Sequence, residues 1–101
     1  MNLYVIRRRA GWFDAAELQT AAEKSGRIGN QEMPDRVRWI RSYVVREPDG
    51  RLGTVCIYEA RDPASIVEHA KRVGMPADDI VPVVDTVIIR ADPAGATAAA
   101  E

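Results

Sequence analysis

The stretch VRWIRSYVVREPDGRLGTVCIYE, residues 37–59, decides the fold. Both halves are rich in β-branched and aromatic residues, which suit a pleated, half-buried surface. Between them, Pro48-Asp49-Gly50 is a strong turn signal. The stretch predicts a hairpin of two antiparallel strands, Val37–Arg46 and Leu52–Glu59.

Downstream, Asp62-Pro63 reads as a helix start, with a capping Asp followed by Pro at the first helical position. Ile66, Val67, Ala70 and Val73 supply the buried face, and Gly74 with Pro76 marks the stop. Ile80–Arg90 then reads as a last strand. Upstream, Leu3–Arg8 reads as a first strand. Asp14 and Glu17 have capping-box spacing, and Phe13 and Leu18 have that of a hydrophobic staple. The helix they open runs to about Gly26, and residues 27–33 are ambiguous. The order is β-α-β-β-α-β, the split βαβ arrangement of an α+β, ferredoxin-like fold. It predicts a four-stranded antiparallel sheet with two helices on one face. Residues 1–90 form the domain, and the Ala-rich stretch 91–101 reads as a disordered tail.

Composition agrees. The 101 residues suit a single domain. Eleven Val and eight Ile against three Leu favour strands over a helical bundle. Fourteen basic and 15 acidic residues give a net charge of −1, which supplies no global field for nucleic acid or an anionic membrane. The single Cys56 cannot form an intrachain disulfide, which points to a reducing, cytoplasmic setting. No run of residues approaches the length of a membrane span.

Helices on one face leave the other face of the sheet to be covered. Strict alternation puts Val37, Trp39, Tyr43 and Val45 on one face of the second strand, with Ile40 and Val44 on the other. In the third strand Val55 and Ile57 oppose Thr54, Cys56 and Tyr58. In the last, Val81, Val83, Val87 and Ile89 oppose Ile80, Val84 and Ile88. Both faces are substantially apolar, more than a solvated face of an antiparallel sheet would be. A homodimer through the open face is the economical expectation.

Candidate chemistry is sparse. His69, the only histidine, lies one step off the helix face set by Ile66, Ala70 and Val73, as a boundary residue, metal ligand or general base. Glu59 and Glu68 are its nearest acidic candidates in sequence. No H-x-x-x-H or C-x-x-C pair, phosphate loop or nucleophile elbow is present. Cys56, mid-strand, reads as a small hydrophobe. The arginines of the first half invite an RNA-recognition reading, but the third strand carries Gly53 and Val55 where stacking aromatics belong, and only Tyr58 fits. Tyr4, Trp39, Tyr43 and Tyr58 could line a small-molecule pocket or simply pack.

Three stretches carry a resemblance: Trp39-Ile40-x-Ser42-Tyr43-Val44, Val55-Cys56-Ile57-Tyr58-Glu59-Ala60, and Glu68-His69-Ala70 with Gly74-x-Pro76-Ala77-Asp78. The sequence resembles a family of small bacterial ferredoxin-like domains, mostly of unknown function, that includes a nickel-binding protein. The resemblance runs from about Asn2 to Arg90. It implies the βαββαβ fold, homodimers, and nickel or another divalent metal, with Tyr43, Glu59 and His69 as the matched polar positions. One histidine is a departure from a histidine-rich site.

Three readings follow. One is a dimeric module binding a metal or small ligand near His69 and Glu59. Another is a cofactor-free dimeric α/β-barrel enzyme, an isomerase or monooxygenase, with His69 as base. The last is a regulatory partner protein using the apolar sheet face.

Overall fold

The computed structural model describes residues 1–93; most of the Ala-rich tail lies outside them. The elements are β1 (Asn2–Trp12), α1 (Ala15–Gln31), β2 (Val37–Arg46), β3 (Leu52–Ala60), α2 (Pro63–Val73) and β4 (Asp79–Pro82). The sheet is antiparallel throughout, in the order β2-β3-β1-β4. This is the ferredoxin-like α+β arrangement that the sequence predicts. Neither helix is long and apolar enough to cross a membrane.

The helix ends follow their local chemistry. The Asp14 carboxylate accepts from the Glu17 amide at 2.9 Å, and Glu17 accepts in turn from the Phe13 amide at 2.9 Å. Phe13 itself is 70% exposed, with the Arg51 guanidinium 5.4 Å from its ring centroid. Asp62 accepts from the Ser65 amide at 2.8 Å, and Gly74 ends α2 at a φ of 86°, in the left-handed region. Gly26 does not end α1. The helix continues to Gln31 because Ile28 and Gly29 are buried beyond it, and that packing outweighs the weak propensity of one glycine.

Two further sequence expectations are corrected. A β-bulge interrupts β2 at Ile40: Trp39 lies opposite Tyr58, but Arg41 lies opposite Ile57. One extra residue reverses the alternation beyond it. Val37 and Trp39 therefore share the helix-covered face with Ser42 and Val44, while Tyr43 and Val45 lie on the open face. The last strand is also far shorter than Ile80–Arg90. The Tyr4–Pro82 pairing already lies near the end of β1, which begins at Asn2. The Val83 amide donates to the Leu3 carbonyl at 2.9 Å, and the chain then leaves the sheet.

The core lies on the helix side. Tyr4 and Ile6 of β1, Cys56 and Tyr58 of β3, Ile28 of α1 and Ile66 and Val73 of α2 pack together, closed by Met33 and Val37. The open face carries Leu3, Val5, Val55 and Ile57, all half-buried, with Tyr43 and Val81 exposed.

Candidate functional site

His69 belongs to the inward stripe of α2 with Ile66, Ala70 and Val73, and it is 1% exposed. Spacing of three and four residues from Ile66 and Val73 was the signal for that depth. Its Nε2 lies 3.1 Å from the Ser25 carbonyl oxygen of α1. A carbonyl can only accept, so Nε2 carries the proton and Nδ1 a lone pair. Nδ1 is buried and has no hydrogen-bond partner among the described residues. Burial lowers the His69 pKa, and the Arg8 and Arg72 charges lower it further against the Ser25 bond. The imidazole is therefore held neutral. The Tyr58 ring lies beside it, with centroids 5.6 Å apart.

Glu59 and Tyr43 occupy the other side of the sheet. Glu59 is half-buried on the open face, where Arg38 of β2 donates to it at 3.2 Å. The Tyr43 hydroxyl donates to the Asp92 carboxylate, at 2.9 Å to Oδ2, and this bond raises its pKa. Tyr43 is opposite Val55, four positions from Glu59 along β3 and so roughly 13 Å away along the strand. The sheet separates both from His69. The structure does not bring the three together, and the described residues hold no cluster of three or more His, Cys, Asp or Glu side chains suited to a metal ion.

The site with the most built chemistry is a cleft of about 680 Å³ between α1 and the β2–β3 part of the sheet, which Tyr43 and Asp92 also line and Glu59 and His69 do not. Leu18, Ala22 and Ser25 form its α1 wall; Arg8, Thr54, Cys56 and Tyr58 contribute from β1 and β3; Trp39 and Ser42 contribute from β2. The Trp39 and Tyr58 rings stack at 6.0 Å with planes 8° apart. A polar row crosses the cleft lining: Trp39 Nε1 donates to Ser42 Oγ at 2.8 Å, Ser42 Oγ to Cys56 Sγ at 3.0 Å, and Cys56 Sγ to Thr54 Oγ1 at 3.2 Å. Tyr58 is bonded to Ser25 Oγ at 3.0 Å, and burial pushes its phenol pKa up.

Arg8 stands out among these residues. It is 1% exposed. Its Nη1 donates to the Pro76 carbonyl at 2.7 Å, and its guanidinium carbon lies 5.8 Å from the Tyr58 ring centroid. Nη2 is buried with no partner, and none of the ion pairs among the described residues includes Arg8. Arg7-Arg8-Arg9 looks like a surface run in sequence. The available signal was parity: Arg8 continues the inward series of Tyr4 and Ile6. A smaller opening of about 400 Å³ adjoins the cleft and reaches His69 through shared residues Ser25, Trp39 and Tyr58.

Comparison with known proteins places this architecture. The chain superposes on the crystal structure of SCO4226 from Streptomyces coelicolor A3(2) with a TM-score of 0.64, at 16% identity, over 84% of this chain and 99% of that one. At that identity the likeness speaks for the fold. No curated protein matches the sequence. The family model described as nickel responsive protein SCO4226-like matches residues 4–83, ending where β4 gives way to the segment that leaves the sheet. The chain therefore belongs to the SCO4226-like family of nickel responsive proteins.

Proposed function

We propose that the protein is a homodimeric binding module of the nickel responsive family, working in the cytoplasm. The lone buried Cys56 supports a reducing compartment. The observation that carries the dimer is the segment after β4. Val84, Val87, Ile88 and Ile89 are 97, 81, 74 and 81% exposed. The segment is tied at Val83 to Leu3 and near its end, through Asp92, to Tyr43 on β2, the opposite edge strand. The register puts Tyr43 on the open face, which supports a return on that side. A β-rich apolar run beside a half-apolar sheet face is a surface that monomers seldom leave to water. A second copy offers the same face and the same run, which suits a two-fold interface.

The residues of one subunit do not fit a nickel site centred on His69. Its free Nδ1 is buried, the nearby Arg8 and Arg72 charges oppose a second cation, and the matched Glu59 and Tyr43 lie on the opposite face of the sheet. Nickel sites draw on several nitrogen, sulfur or carboxylate ligands together. The cleft is the better-formed binding site, and its size suits a small organic molecule. Sedimentation at micromolar concentration tests the dimer: twice 11.1 kDa is expected, and a mass of 11.1 kDa would overturn it.

A second reading has one observation in its favour. His69 lines the smaller opening and keeps a free Nδ1 lone pair under its cover, so a molecule that displaces that cover meets a proton acceptor, which suits a cofactor-free isomerase or monooxygenase. Turnover of a bound small molecule that His69→Gln abolishes, with binding retained, would favour it.

A further inference from the structure

We infer that the cleft between α1 and the sheet binds a small organic carboxylate, whose charged end pairs with Arg8 and whose apolar body lies against Trp39 and its neighbours. This rests on the binding-module reading and names the ligand class. Three observations converge on it.

The first is charge. An always-protonated guanidinium buried to 1% exposure without a counter-ion is an unusual arrangement, because removing it from water costs several kcal/mol unless an anion compensates. Pro76 and the Tyr58 ring supply a carbonyl and an aromatic face, and neither carries negative charge. An anion reaching Arg8 would supply the missing partner for Nη2 and neutralise the site in one step.

The second is shape and polarity. Arg8 is on the cleft wall with Leu18, Trp12, Trp39 and Leu52; the other charged lining residues, Arg41, Arg46 and Asp92, are exposed, and the Asp92 carboxylate already accepts from Tyr43. One buried cation among mostly apolar walls selects a molecule with one anionic group and an apolar remainder. A polyphosphate or nucleotide would need further cations at the same depth, and Arg8 is the only buried Arg or Lys among the described residues.

The third is supporting hydroxyls. Ser25, Ser42 and Thr54 line the same cleft; Thr54 only accepts from Cys56 and so keeps its hydroxyl proton for an incoming oxygen, while Ser25 and Ser42 would exchange their present bonds for one. Nη2 is covered by the lining, so a carboxylate reaches it only if the lining shifts slightly. Side-chain adjustments of this kind are common on binding.

Both tryptophans, Trp12 and Trp39, line the cleft, so their fluorescence reports occupancy. The experiment titrates the full chain with benzoate and phenylacetate, with benzamide and phenylacetamide as matched neutral probes and sodium chloride as an inorganic control. The mass is followed in parallel. A saturable fluorescence change is expected with the carboxylates, with affinity for the amides lower by roughly tenfold or more, as loss of a charge-assisted bond implies. Arg8→Met should remove that preference and raise the melting temperature, because it takes away an uncompensated charge while keeping the volume. Equal affinity for acid and amide, an equal response to chloride, or an unchanged preference in a folded Arg8→Met would overturn the inference. If Arg8→Met does not fold, the acid–amide comparison on the natural chain decides. Failure here with a dimeric mass would leave the dimer standing, whereas a monomer that binds carboxylates would overturn the dimer alone.

Discussion

Glu47, just beyond β2, reaches over Gly53 of β3 to hold Arg7 of β1. Arg7 Nη2 donates to both carboxylate oxygens, at 2.9 and 2.8 Å, and the Ala10 amide donates to Oε2 at 3.2 Å. Ala10 sits at a φ of 48°, in the left-handed region, where the β1–β3 register is irregular. The pair thus ties three strands together at the bulged end of the sheet. A Cβ on Gly53 would fall 1.9 Å from Glu47 Oε2 and 2.6 Å from the Arg8 carbonyl oxygen. Gly53→Ala must therefore displace Glu47 and move backbone as well. Denaturant unfolding should show a loss of about 1–3 kcal/mol, in the range of overpacked cores. A variant as stable as the natural chain would show that this crossing is slack.

Most of the fold was legible because local signals and burial agree. The hairpin, both capping aspartates and Gly74 all sit where their chemistry places them. What was not legible depended on partners distant in sequence. The bulge at Ile40 leaves no mark in a run that alternates well in either phase, and it exchanged the faces of Tyr43 and Ser42. The extent of β4 is set by where β1 begins, not by the Val and Ile content of 83–89. At the candidate site, a lone histidine is conspicuous in sequence, whereas a buried arginine inside a basic triplet is indistinguishable from its exposed neighbours unless strand parity is followed.

His69 makes stability depend on pH. Its folded pKa is lowered, chiefly by burial, from the ordinary value of 6.5. Below about 6.5 the unfolded chain therefore takes up a proton that the folded chain refuses, so stability falls as pH drops toward the folded pKa. The slope is at most about 1.4 kcal/mol per pH unit for one proton. A second loss follows at lower pH, as Glu47 beside Arg7 and Glu68 beside Arg72 and Arg36, both held below the usual carboxylate range, become protonated. Melting temperatures between pH 8 and 4 should show the upper step in the natural chain and not in His69→Gln. The same upper step in the variant would assign it to another group.

Nickel gives a separate test of what His69 does. Its imidazole is packed between α1, α2 and Tyr58, so a metal could reach Nδ1 only by opening the core. Calorimetric titration with nickel should give the same isotherm for the natural chain and His69→Gln at pH 7.5. Loss of binding in a folded variant would mean that the core opens to admit the metal.

The segment after β4 allows association to be separated from folding. Val87 and Ile88 are largely exposed within one chain, so replacing both with aspartate should change the stability of the isolated fold little, within about 0.5 kcal/mol per site. In a dimer that covers this segment, the same substitutions place two carboxylates per subunit in an apolar interface, where unpaired charge is costly. Val87→Asp with Ile88→Asp is therefore expected to shift the sedimentation mass from twice 11.1 kDa to 11.1 kDa, with an unchanged far-ultraviolet circular dichroism spectrum. The melting temperature of the natural chain should rise with protein concentration, as association requires, and that of the double variant should not. A double variant that keeps the dimer mass would move the interface away from this segment.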